Sequence, residues 1–459
     1  MKNPLSGHLN RRDFLKVGAA AGVGAALSRS GMSGAPAPAA GGQPAGPAGL
    51  IDFRVAPIDP VRIGFVGVGG MGSAHVRNFL KIDGVEIKAV CDTVEEKTAR
   101  IQKWCEEAGR PRPEAYNKGD WDFKRLCERP DIDLVYTATP WEWHVPVCVA
   151  AMEAGKHAAT EVPAAYTVED CWKLVETAER TKRHLMMMEN CCYDRPEMLC
   201  LNLVKKGLLG EIFHAEAGYN HDLREVKLSG VGESLWRPAH SLKRNGNLYP
   251  THGLGPVSQC LDIHRGDRFD YLVSMSTKAL GLHLYAEKKL GPESYWAKQK
   301  FVLGDVNVSL IHTVNGKVIT LYHDTSSPRP YTRIHIVQGT KGLFERWPDR
   351  VYIEGRSKFD EWDTLDSYLI EHDHPVWKEL EVRSKGAGHG GMDFVEDYRL
   401  VEALRRGRPL DIDVYDSAAW SVVTPLSEWS VAHKSQPADV PDFTRGAWKA
   451  PRELQVMKA

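Results

Sequence analysis

The sequence predicts an α/β protein whose N-terminal part is a Rossmann domain with a doubly wound parallel sheet. A glycine-rich turn follows an apolar, β-branched run that begins at Val61. Strand-like and helix-like segments then alternate as far as Asn190, and an acidic residue follows the second strand-like run. Such alternation is typical of right-handed βαβ units that share one parallel sheet. The 459 residues suffice for two or three domains at about 100–200 residues each.

The first 50 residues are predicted to be an export signal and a linker. Arg11 and Arg12 precede Asp-Phe-Leu-Lys, and a weakly apolar run of Ala and Gly follows over 17–27. This arrangement is typical of a twin-arginine signal, and the run is shorter than the roughly 20 residues that a membrane span needs. Residues 29–49 are rich in Gly, Pro and Ala, which is typical of a cleavage region and linker. We therefore expect a periplasmic or extracellular protein; the alternative is a basic amphipathic N-terminus.

The turn after the first strand matches the G-x-G-x-x-G pattern of dinucleotide-binding sites. Gly67 permits the tight turn, Gly69 lets the backbone approach a pyrophosphate, and Gly72 lets strand and helix pack closely. The next segment has helical periodicity, so its N-terminal N–H groups would face the phosphates. Glycine turns also occur without a ligand, but here the strand–turn–helix context is present. The predicted cofactor residues in the turn are Gly67, Gly69, Gly70, Met71 and Gly72.

The second strand-like run ends in Asp92, twenty residues beyond Gly72. An acidic residue at this point accepts hydrogen bonds from the adenosine ribose hydroxyls and repels a 2′-phosphate. The sequence therefore predicts NAD, in preference to NADP, as the cofactor.

Further strand-like runs begin at Asp133, His157 and His184, with helix-like segments between them. Ligands of doubly wound sheets gather at the carboxyl ends of the strands. We therefore expect one crevice to be bordered by residues 141–144, 161–162 and 190–193.

Composition argues against several kinds of ligand. The formal net charge is −1, from 59 Lys and Arg against 60 Asp and Glu, whereas nucleic-acid binders usually carry a basic excess. The nine cysteines include no C-x-x-C pair, and several lie in apolar runs, so we expect them to be buried. His372, His374 and His389 are metal-capable but lack matched further ligands. We expect no metal, no nucleic acid and no membrane span after the leader.

Two motifs resemble the glucose–fructose oxidoreductase / inositol dehydrogenase / MocA family. One is the Thr-Pro-x-x-x-His run from Thr139 to His144, and the other is Ala-Gly-Lys-His followed by Glu161-Val162-Pro163. The usual family motif in the second place is Glu-Lys-Pro, whose Lys helps to position and activate the substrate hydroxyl. Val162 replaces that Lys, which argues against simple alcohol dehydrogenation.

A narrower resemblance is to glycoside hydrolase family 109, the NAD-dependent α-N-acetylgalactosaminidases. It spans roughly 58–450, and its motifs are Pro-Trp-Glu-Trp-His (140–144), Glu-Asn-Cys-Cys-Tyr (189–193), Gly-Tyr-Asn-His-Asp-Leu-Arg (218–224), Leu-Tyr-Pro-Thr-His-Gly (248–253), His-Asp-Thr-Ser (323–326), Arg-Pro-Tyr (329–331), Gly-Ala-Gly-His-Gly-Gly-Met-Asp (386–393) and Asp-Val-Tyr-Asp (413–416). It implies an NAD-binding Rossmann domain over 58–190 and a substrate-binding, catalytic α+β domain over 191–450. The second domain is expected to contain a large open, mostly antiparallel sheet whose face covers the nicotinamide.

The resemblance also implies a redox-neutral glycosidase cycle, since NAD-dependent families depart from the usual pair of carboxylates. In that cycle sugar carbon 3 is oxidised by tightly held NAD, which makes the hydrogen on carbon 2 acidic. Its loss expels the aglycone from carbon 1, water adds, and carbon 3 is reduced again. The protein must supply a base for the carbon 3 hydroxyl, a base for carbon 2 and an acid for the leaving oxygen.

The family match assigns catalysis to Tyr193, Tyr249 and His252, with Glu161 beside them. A histidine titrates near neutrality and can exchange the hydroxyl proton, while which group takes which proton stays open. Taken alone, a loop tyrosine is more often a packing residue, and a loop histidine is often only solvated. These assignments therefore depend on the resemblance.

The same match extends both binding sites. Beyond the glycine turn and Asp92, the implied cofactor contacts are Trp141, His144, Glu161, Val162 and Asn190. Aromatic faces and donor groups suit a neutral acetamido sugar, and the implied sugar contacts are Tyr219, Arg237, Tyr249, Pro250, Thr251, His252 and Tyr331.

Two other functions are compatible with the sequence. One is a periplasmic NAD(P)-dependent sugar oxidoreductase of the same superfamily, which would release NADH or couple two sugars in turn. The other is a non-catalytic sugar-binding protein that keeps the dinucleotide for structure. Val162 in place of Lys favours the hydrolase over the oxidoreductase. The expected partners of the hydrolase are α-N-acetylgalactosaminide glycans or glycoconjugates, and a homo-oligomer is compatible with the sequence.

Overall fold

Two β-sheets, with helices packed on them, form the part of the chain that the computed structural model describes, residues 49–229 and 236–458. The predicted export signal and nearly all of the predicted linker lie outside these residues. Within the described residues, no helix has the length and apolar character needed to cross a membrane.

The first sheet has six parallel strands in the order β3-β2-β1-β4-β5-β6. Because the order reverses between β1 and β4, the carboxyl ends of these strands open a crevice at the switch point. The predicted doubly wound sheet is confirmed. Its strands are β1 (Val61–Val66), β2 (Val85–Cys91), β3 (Glu114–Tyr116), β4 (Leu134–Thr137), β5 (His157–Thr160) and β6 (Leu185–Met187).

Burial on both faces explains the composition of these strands. Only Arg62 of β1 is partly exposed, and all of β4 and β5 is buried. Strands covered on both faces are nearly continuous apolar runs. The helices that alternate with them are α1 (Gly70–Phe79), α2 (Glu95–Glu107), α3 (Phe123–Cys127), α4 (Trp141–Glu153) and α5 (Val168–Thr181).

The second sheet has eight strands in the order β13-β12-β11-β7-β10-β9-β8-β14. Neighbouring strands are antiparallel except β7 and β10, which are parallel, so the predicted mostly antiparallel sheet is confirmed. Buried and more exposed residues alternate along β9, because only one face packs on the core. The strands are β7 (Ile212–Asn220), β8 (Phe269–Ser276), β9 (Val306–Thr313), β10 (Val318–Asp324), β11 (Ile336–Gly339), β12 (Gly342–Glu345), β13 (Arg350–Ile353) and β14 (Ala438–Asp439).

Helices after β6 connect the two sheets. α9 packs on β7, and α13 packs on α1, so the C-terminal part of the chain returns to the nucleotide side. These helices are α6 (Arg195–Lys205), α7 (Arg224–Ser229), α8 (Arg237–Lys243), α9 (Thr251–Cys260), α10 (Gly281–Leu290), α11 (Asp366–His372), α12 (Pro375–Ser384), α13 (Met392–Arg405), α14 (Val414–Ser421) and α15 (Val423–Ala432). Short 3₁₀ turns cover Asn190–Tyr193, Gly388–Gly391, Ala447–Lys449 and Gln455–Met457.

One buried apolar cluster runs through both sheets, and its fully buried side chains include Trp420, Tyr136 and Phe65. Burying a large apolar side chain contributes about 1.5–3 kcal/mol, so this shared core holds the sheets together. Because the core is continuous, the boundary between domains 58–190 and 191–450 stays a prediction. All nine cysteines are buried and unpaired, as expected from their apolar surroundings.

Candidate active site

The glycine turn after β1 forms a cradle at the N-terminus of α1. Gly67 has φ +80°, and a Cβ there would lie 2.8 Å from the carbonyl oxygen of Ala138. A Cβ on Gly72 would lie 2.0 Å from the carbonyl oxygen of Gly67, so Gly72 permits close packing of helix on strand. Gly69 faces open space, with Lys97 Nζ the nearest atom at 3.9 Å from an ideal Cβ. The cradle therefore fits a dinucleotide phosphate, which would accept hydrogen bonds from the N–H groups at the helix terminus.

Asp92 is held after β2 by two backbone donors. Its Oδ2 accepts from the N–H of Val68 at 3.0 Å, and its Oδ1 accepts from the N–H of Val94 at 3.0 Å. Lys97 Nζ lies 3.6 Å from Oδ1. The carboxylate lines the cleft in a fixed orientation, where it fits the ribose hydroxyls of NAD.

A cleft extends from the glycine turn to aromatic residues of α4 and the start of α8. It brings most of the predicted nucleotide residues, but not Gly72 or Asn190, into one space with two predicted sugar residues, Arg237 and Tyr249. Trp143, Trp236 and Lys97 also line it. The predicted site residues on its walls are Gly67, Gly69, Gly70, Met71, Asp92, Trp141, His144, Glu161, Val162, Arg237 and Tyr249.

His144 holds two loops that flank the cleft. Its Nε2 lies 2.9 Å from the carbonyl oxygen of Thr139, and its Nδ1 lies 2.8 Å from that of Pro163. Burial lowers the pKa of His144. Because both ring nitrogens contact backbone carbonyls, His144 positions the cleft and is not available as a base.

Asn190 is not among the residues that line the cleft, and its cofactor contact stays a prediction. Its side-chain amide donates to Asp393 Oδ1 at 2.7 Å, on α13. Asp393 Oδ2 in turn lies 2.8 Å from Nδ1 of His389. Asn190 therefore ties the end of β6 to α13.

Tyr193 is not among the residues that line the cleft either, and its catalytic role stays a prediction. Its side chain is 0% exposed, and its hydroxyl donates to Asp411 Oδ2 at 3.2 Å. Asp411 is paired with Arg399 of α13 at 2.8 Å. Burial, with a further contribution from Asp411, raises the pKa of Tyr193 well above its usual value. Side chains three residues apart project to the same side of a 3₁₀ turn, so Tyr193 follows Asn190 toward α13.

Four predicted sugar-site residues form an aromatic group beside the cleft, at the end of β7 and the start of α9. The ring centroids of Tyr219 and Tyr249 are 4.7 Å apart, and His252 lies 5.2 Å and 4.8 Å from them. Tyr331 packs on Tyr219 at 6.1 Å and on His221 at 4.9 Å. The Tyr219 hydroxyl lies 3.1 Å from Nδ1 of His221. The group offers ring faces and hydroxyl donors, which suit a sugar.

Arg237 places a cation over the aromatic wall of the cleft. The distance from its guanidinium carbon to the ring centroid is 4.5 Å for Trp236 and 5.7 Å for both Trp141 and Tyr249. Such cation–π contacts hold the guanidinium against the aromatic wall. Arg237 therefore brings a positive charge to the wall of the cleft.

Pro250 and Thr251, predicted as sugar contacts, are buried at the start of α9 and do not line the cleft. Pro250 directly precedes the helix, where its missing N–H is tolerated. The helix start brings Tyr249 and His252 to the aromatic group and buries the two residues between them, whose sugar contacts stay predictions.

His252 is paired with Glu189, which sequence analysis did not identify as a site residue. Its Nδ1 lies 2.7 Å from Glu189 Oε1, and Glu189 is fully buried. Burial alone would raise the pKa of Glu189, but His252 outweighs burial and lowers it. The ionised carboxylate accepts the Nδ1–H and leaves Nε2 of His252 free to accept a proton. Glu189 lies in the motif 189–193, but a partner 63 residues away cannot be read from the sequence.

Glu161 lines the cleft and is backed by a buried polar chain. Its Oε1 lies 2.8 Å from Nε2 of His75, and Nδ1 of His75 lies 2.9 Å from Asp397. Asn78 donates to Asp397 at 2.9 Å. Burial would lower the pKa of His75, but Asp397 and Glu161 outweigh it and hold the pKa well above its usual value. A charged imidazole therefore anchors Glu161, a role for His75 that sequence analysis missed.

Tyr249 and Tyr331 keep their phenolic protons. Burial raises the pKa of both residues above the usual value. The Tyr331 hydroxyl accepts from Arg333 Nη1 at 2.8 Å. A phenol that keeps its proton can donate to a sugar oxygen but cannot act as a base. Proton donation is the role of Tyr249 that fits this protonation state, and the catalytic roles of Tyr249 and His252 stay predictions.

The metal-capable histidines have separate partners. His374 Nδ1 accepts from the N–H of Val376, and His372 Nδ1 lies 3.4 Å from Lys206 Nζ. Ligand atoms of Glu189, Cys191 and His252 do lie within 4.8 Å of one another. Burial raises the pKa of the Cys191 thiol well above its usual value, so this thiol stays protonated. The group is best described as the histidine–carboxylate pair with a neutral thiol beside it.

Three family models match the chain. One described as glycosyl hydrolase 109, C-terminal domain, matches residues 193–450, and one described as oxidoreductase family, NAD-binding Rossmann fold, matches residues 61–189. The model of the twin-arginine translocation pathway signal sequence matches residues 8–28.

Curated relatives are similar over nearly the whole chain. A glycosyl hydrolase family 109 protein of Solibacter usitatus is 48% identical over 443 residues, which is 96% of this chain and 98% of the relative. An alpha-N-acetylgalactosaminidase of Shewanella oneidensis is 45% identical over 463 residues, which is 98% of this chain and 100% of the relative.

Solved structures share the fold at low sequence identity. Levoglucosan dehydrogenase in complex with NADH and levoglucosan has a TM-score of 0.64 at 20% identity, covering 83% of this chain and 100% of that one. An inositol dehydrogenase homolog complexed with NAD+ from Azotobacter vinelandii has a TM-score of 0.62 at 19% identity, covering 85% of this chain and 100% of that one. At these identities the likeness shows the fold alone.

Proposed function

The chain belongs to glycosyl hydrolase family 109 and is an NAD-dependent glycoside hydrolase, and from this premise we propose that it removes terminal α-linked N-acetylgalactosamine from glycans or glycoconjugates. The observation that carries the proposal is the His252–Glu189 pair, with its 2.7 Å contact, in the aromatic group that adjoins the nucleotide cleft. The name of the Shewanella oneidensis relative supports the choice of sugar.

NAD bound by the glycine cradle and Asp92 would supply oxidation of sugar carbon 3 and its later reduction, so that the net reaction is hydrolysis. The residues of the chain then have four tasks. They hold the sugar ring, accept and return the proton of the carbon 3 hydroxyl, remove the proton from carbon 2 and later replace it, and protonate the leaving oxygen. Which residue takes the carbon 2 proton is left open.

His252 is proposed to accept the carbon 3 hydroxyl proton at Nε2. Glu189 holds the Nδ1–H and stabilises the imidazolium that forms, because its buried carboxylate lies 2.7 Å away. The same nitrogen returns the proton when carbon 3 is reduced. A histidine suits both directions because its ordinary pKa is close to neutral pH.

Tyr249 is proposed to protonate the leaving oxygen, since its hydroxyl keeps its proton and its ring lines the cleft. Arg237 and Tyr219 are proposed to hold the sugar by donation to its hydroxyls and by ring contact. Glu161, anchored by His75 at 2.8 Å, is proposed to orient the nicotinamide end of the cleft.

The match to a twin-arginine signal at residues 8–28 supports export by that route. We propose that the chain reaches the periplasm or the medium with NAD already bound, because the twin-arginine pathway carries folded proteins. The domains 58–190 and 191–450 are proposed to fold together before export.

The decisive experiment incubates purified protein with an aryl α-N-acetylgalactosaminide and no added cofactor, in D₂O. Aglycone release without NADH accumulation, and deuterium at carbon 2 of the released sugar, are expected. Aglycone release with hydrogen retained at carbon 2 would contradict the elimination. NADH that accumulates in proportion to an oxidised sugar would show the oxidoreductase instead.

A further inference from the structure

A polar recess opens from the aromatic end of the cleft. It shares Trp141, Arg237 and Tyr249 with the cleft wall, and Tyr219 of the aromatic group also lines it. Its other lining residues come from α7 and the segment before it, α8, the end of β10 and the segments before α9 and β9, and none of these has a role in the function proposed above.

Lys227 of α7 places a buried amine in this recess. Lys227 is 4% exposed, and its Nζ donates a hydrogen bond to Thr325 Oγ1 at 2.7 Å. Across residues 49–229 and 236–458, no carboxylate lies within 4.0 Å of this amine. A buried amine without a counter-ion is costly unless hydrogen-bond acceptors surround it.

The surroundings of Lys227 lower the pKa of its amine. Burial, together with the charge of Arg237, lowers this pKa to about 7, against the opposing charges of Asp324, Asp305 and Asp222. The amine therefore has N–H groups to donate and only a weak attraction for anions near pH 7.

His323 adds a polar group whose Nδ1 lacks a partner among the described residues. It lines the recess at 2% exposure, and within the described residues its Nδ1 has no hydrogen-bond partner. Burial lowers its pKa to about 3, so the ring is neutral. His323 and Thr325 belong to the His-Asp-Thr-Ser motif, to which the proposed function gives no task.

Leu223, Leu248 and Leu303 line the recess together with His240 and Ser241. Three leucines beside a buried amine suit a small neutral group that has one strong acceptor and one methyl group. A carboxylate or sulfate fits less well, because removing an anion from water costs more than removing a neutral amide.

We propose that this recess receives the acetamido group at sugar carbon 2. The Lys227 amine donates to the carbonyl oxygen, and the leucines contact the methyl group. Lys227 is then a residue that determines specificity for acetamido sugars. The inference rests on the proposed function, since it places the sugar ring in the aromatic group.

The test compares Lys227→Met with the unmodified holoenzyme on two aryl α-glycosides that differ only at carbon 2, the N-acetylgalactosaminide and the galactoside. The kcat/KM for the acetamido sugar is expected to fall about 10–100-fold, because the buried site loses its donor. The galactoside is expected to change less than about threefold. Thr325→Val should shift the selectivity in the same direction, and Lys289→Met, at an exposed position of α10, should leave it unchanged.

Equal losses on both glycosides would overturn the proposal, and so would unchanged selectivity. If the unmodified enzyme hydrolyses neither glycoside, the proposed function fails, and calorimetric binding of N-acetylgalactosamine and galactose decides on the recess. In this binding experiment, Lys227→Met should bind N-acetylgalactosamine no more tightly than galactose. A retained preference for the acetamido sugar would contradict the inference. Tighter binding of galactosamine 2-N-sulfate than of N-acetylgalactosamine would show an anion site instead. If Lys227→Met does not fold, as judged by Tm and NAD content, Thr325→Val and Leu303→Phe are tested in its place by the same criteria.

Discussion

The Glu189 side chain determines which nitrogen of His252 the substrate meets. Because its buried carboxylate lies 2.7 Å from Nδ1, that nitrogen carries the hydrogen and Nε2 has the free lone pair. The carboxylate also accepts from the N–H of Cys191 at 3.2 Å, so it cannot rotate away without breaking a second contact. A general base needs both the right tautomer and a fixed direction.

Glu189→Gln tests this pairing. The amide still accepts the Nδ1–H but no longer stabilises the imidazolium, so we expect kcat to fall about 10–100-fold with KM nearly unchanged. Steady-state kinetics on the aryl glycoside measure both constants, and bound NAD is measured after denaturation. Glu211→Gln makes the same chemical change at an exposed position and should have no effect. A raised KM with an unchanged kcat would contradict the role of Glu189 in proton transfer.

Sequence reasoning places best the residues whose geometry is set by a local pattern. Gly67 and Gly72 lie in the turn and Asp92 directly after β2, as the spacing of the fingerprint predicts. The direction of the Tyr193 side chain could not be predicted, because a 3₁₀ turn sets it and strand periodicity says nothing about that turn.

Two helices meet at the chain of contacts behind Glu161. His75 and Asn78 are three residues apart on α1, so both face Asp397 of α13. Burial raises the pKa of Asp397 to about 6 in spite of the charge on His75. The contact therefore stabilises the docking of α13 on the nucleotide-binding helix while Asp397 is ionised.

His75→Gln tests this contact between helices. Loss of one partner of a buried pair should lower the free energy of unfolding by about 3 kcal/mol near pH 6.5. Because the pKa of His75 is raised above its unfolded value of about 6.5, its contribution is full below that pH and declines as the pH rises. The difference from the unmodified protein should therefore shrink between pH 6.5 and 9, where Asp397 stays mostly ionised. Urea denaturation at both ends of this pH range measures the difference in the free energy of unfolding.

His214→Gln, at a half-buried position of β7, provides the matched change and should show no such pH-dependent difference. If the loss of unfolding free energy in His75→Gln grows toward pH 9, the assignment of the charge to His75 is contradicted. If the variant loses no unfolding free energy at either pH, the pair does not stabilise the docking.

Elements were predictable where one physical rule dominates. The strands of the first sheet are continuous apolar runs because both faces are covered. The Asp-Val-Tyr-Asp motif is explained as a capping box, in which Asp413 accepts from the N–H groups of Tyr415 and Asp416 at the start of α14. The long-range docking of α13 on α1 leaves no local pattern, and so neither His75 nor Asp397 was identified from sequence.

The whole molecule combines a nucleotide cleft from the first sheet with an aromatic group from the second. Glu161 and Asp92 belong to one part of the chain, while Tyr219, His252 and Tyr331 belong to the other, and a continuous core joins the sheets. Neither set of residues completes the site alone, so the site exists only after the described chain has folded. The resemblance to a known family predicted that both sheets contribute residues to the site, whereas composition and periodicity predicted the first sheet alone.

The contribution of both sheets to the site bears on export. The twin-arginine pathway carries folded proteins, so the site is assembled before the protein is exported. With Arg11→Lys and Arg12→Lys together, the twin-arginine signature is lost while the described residues are unchanged. Glycosidase activity in whole-cell lysate should stay the same, and activity in the periplasmic fraction should fall more than about tenfold. Lys16→Arg, which keeps the pair, serves as the control. Undiminished periplasmic activity from the double variant would mean that another route exports the protein. Lost lysate activity would mean that the leader is needed for folding, since the catalytic residues lie far along the chain from the changed arginines.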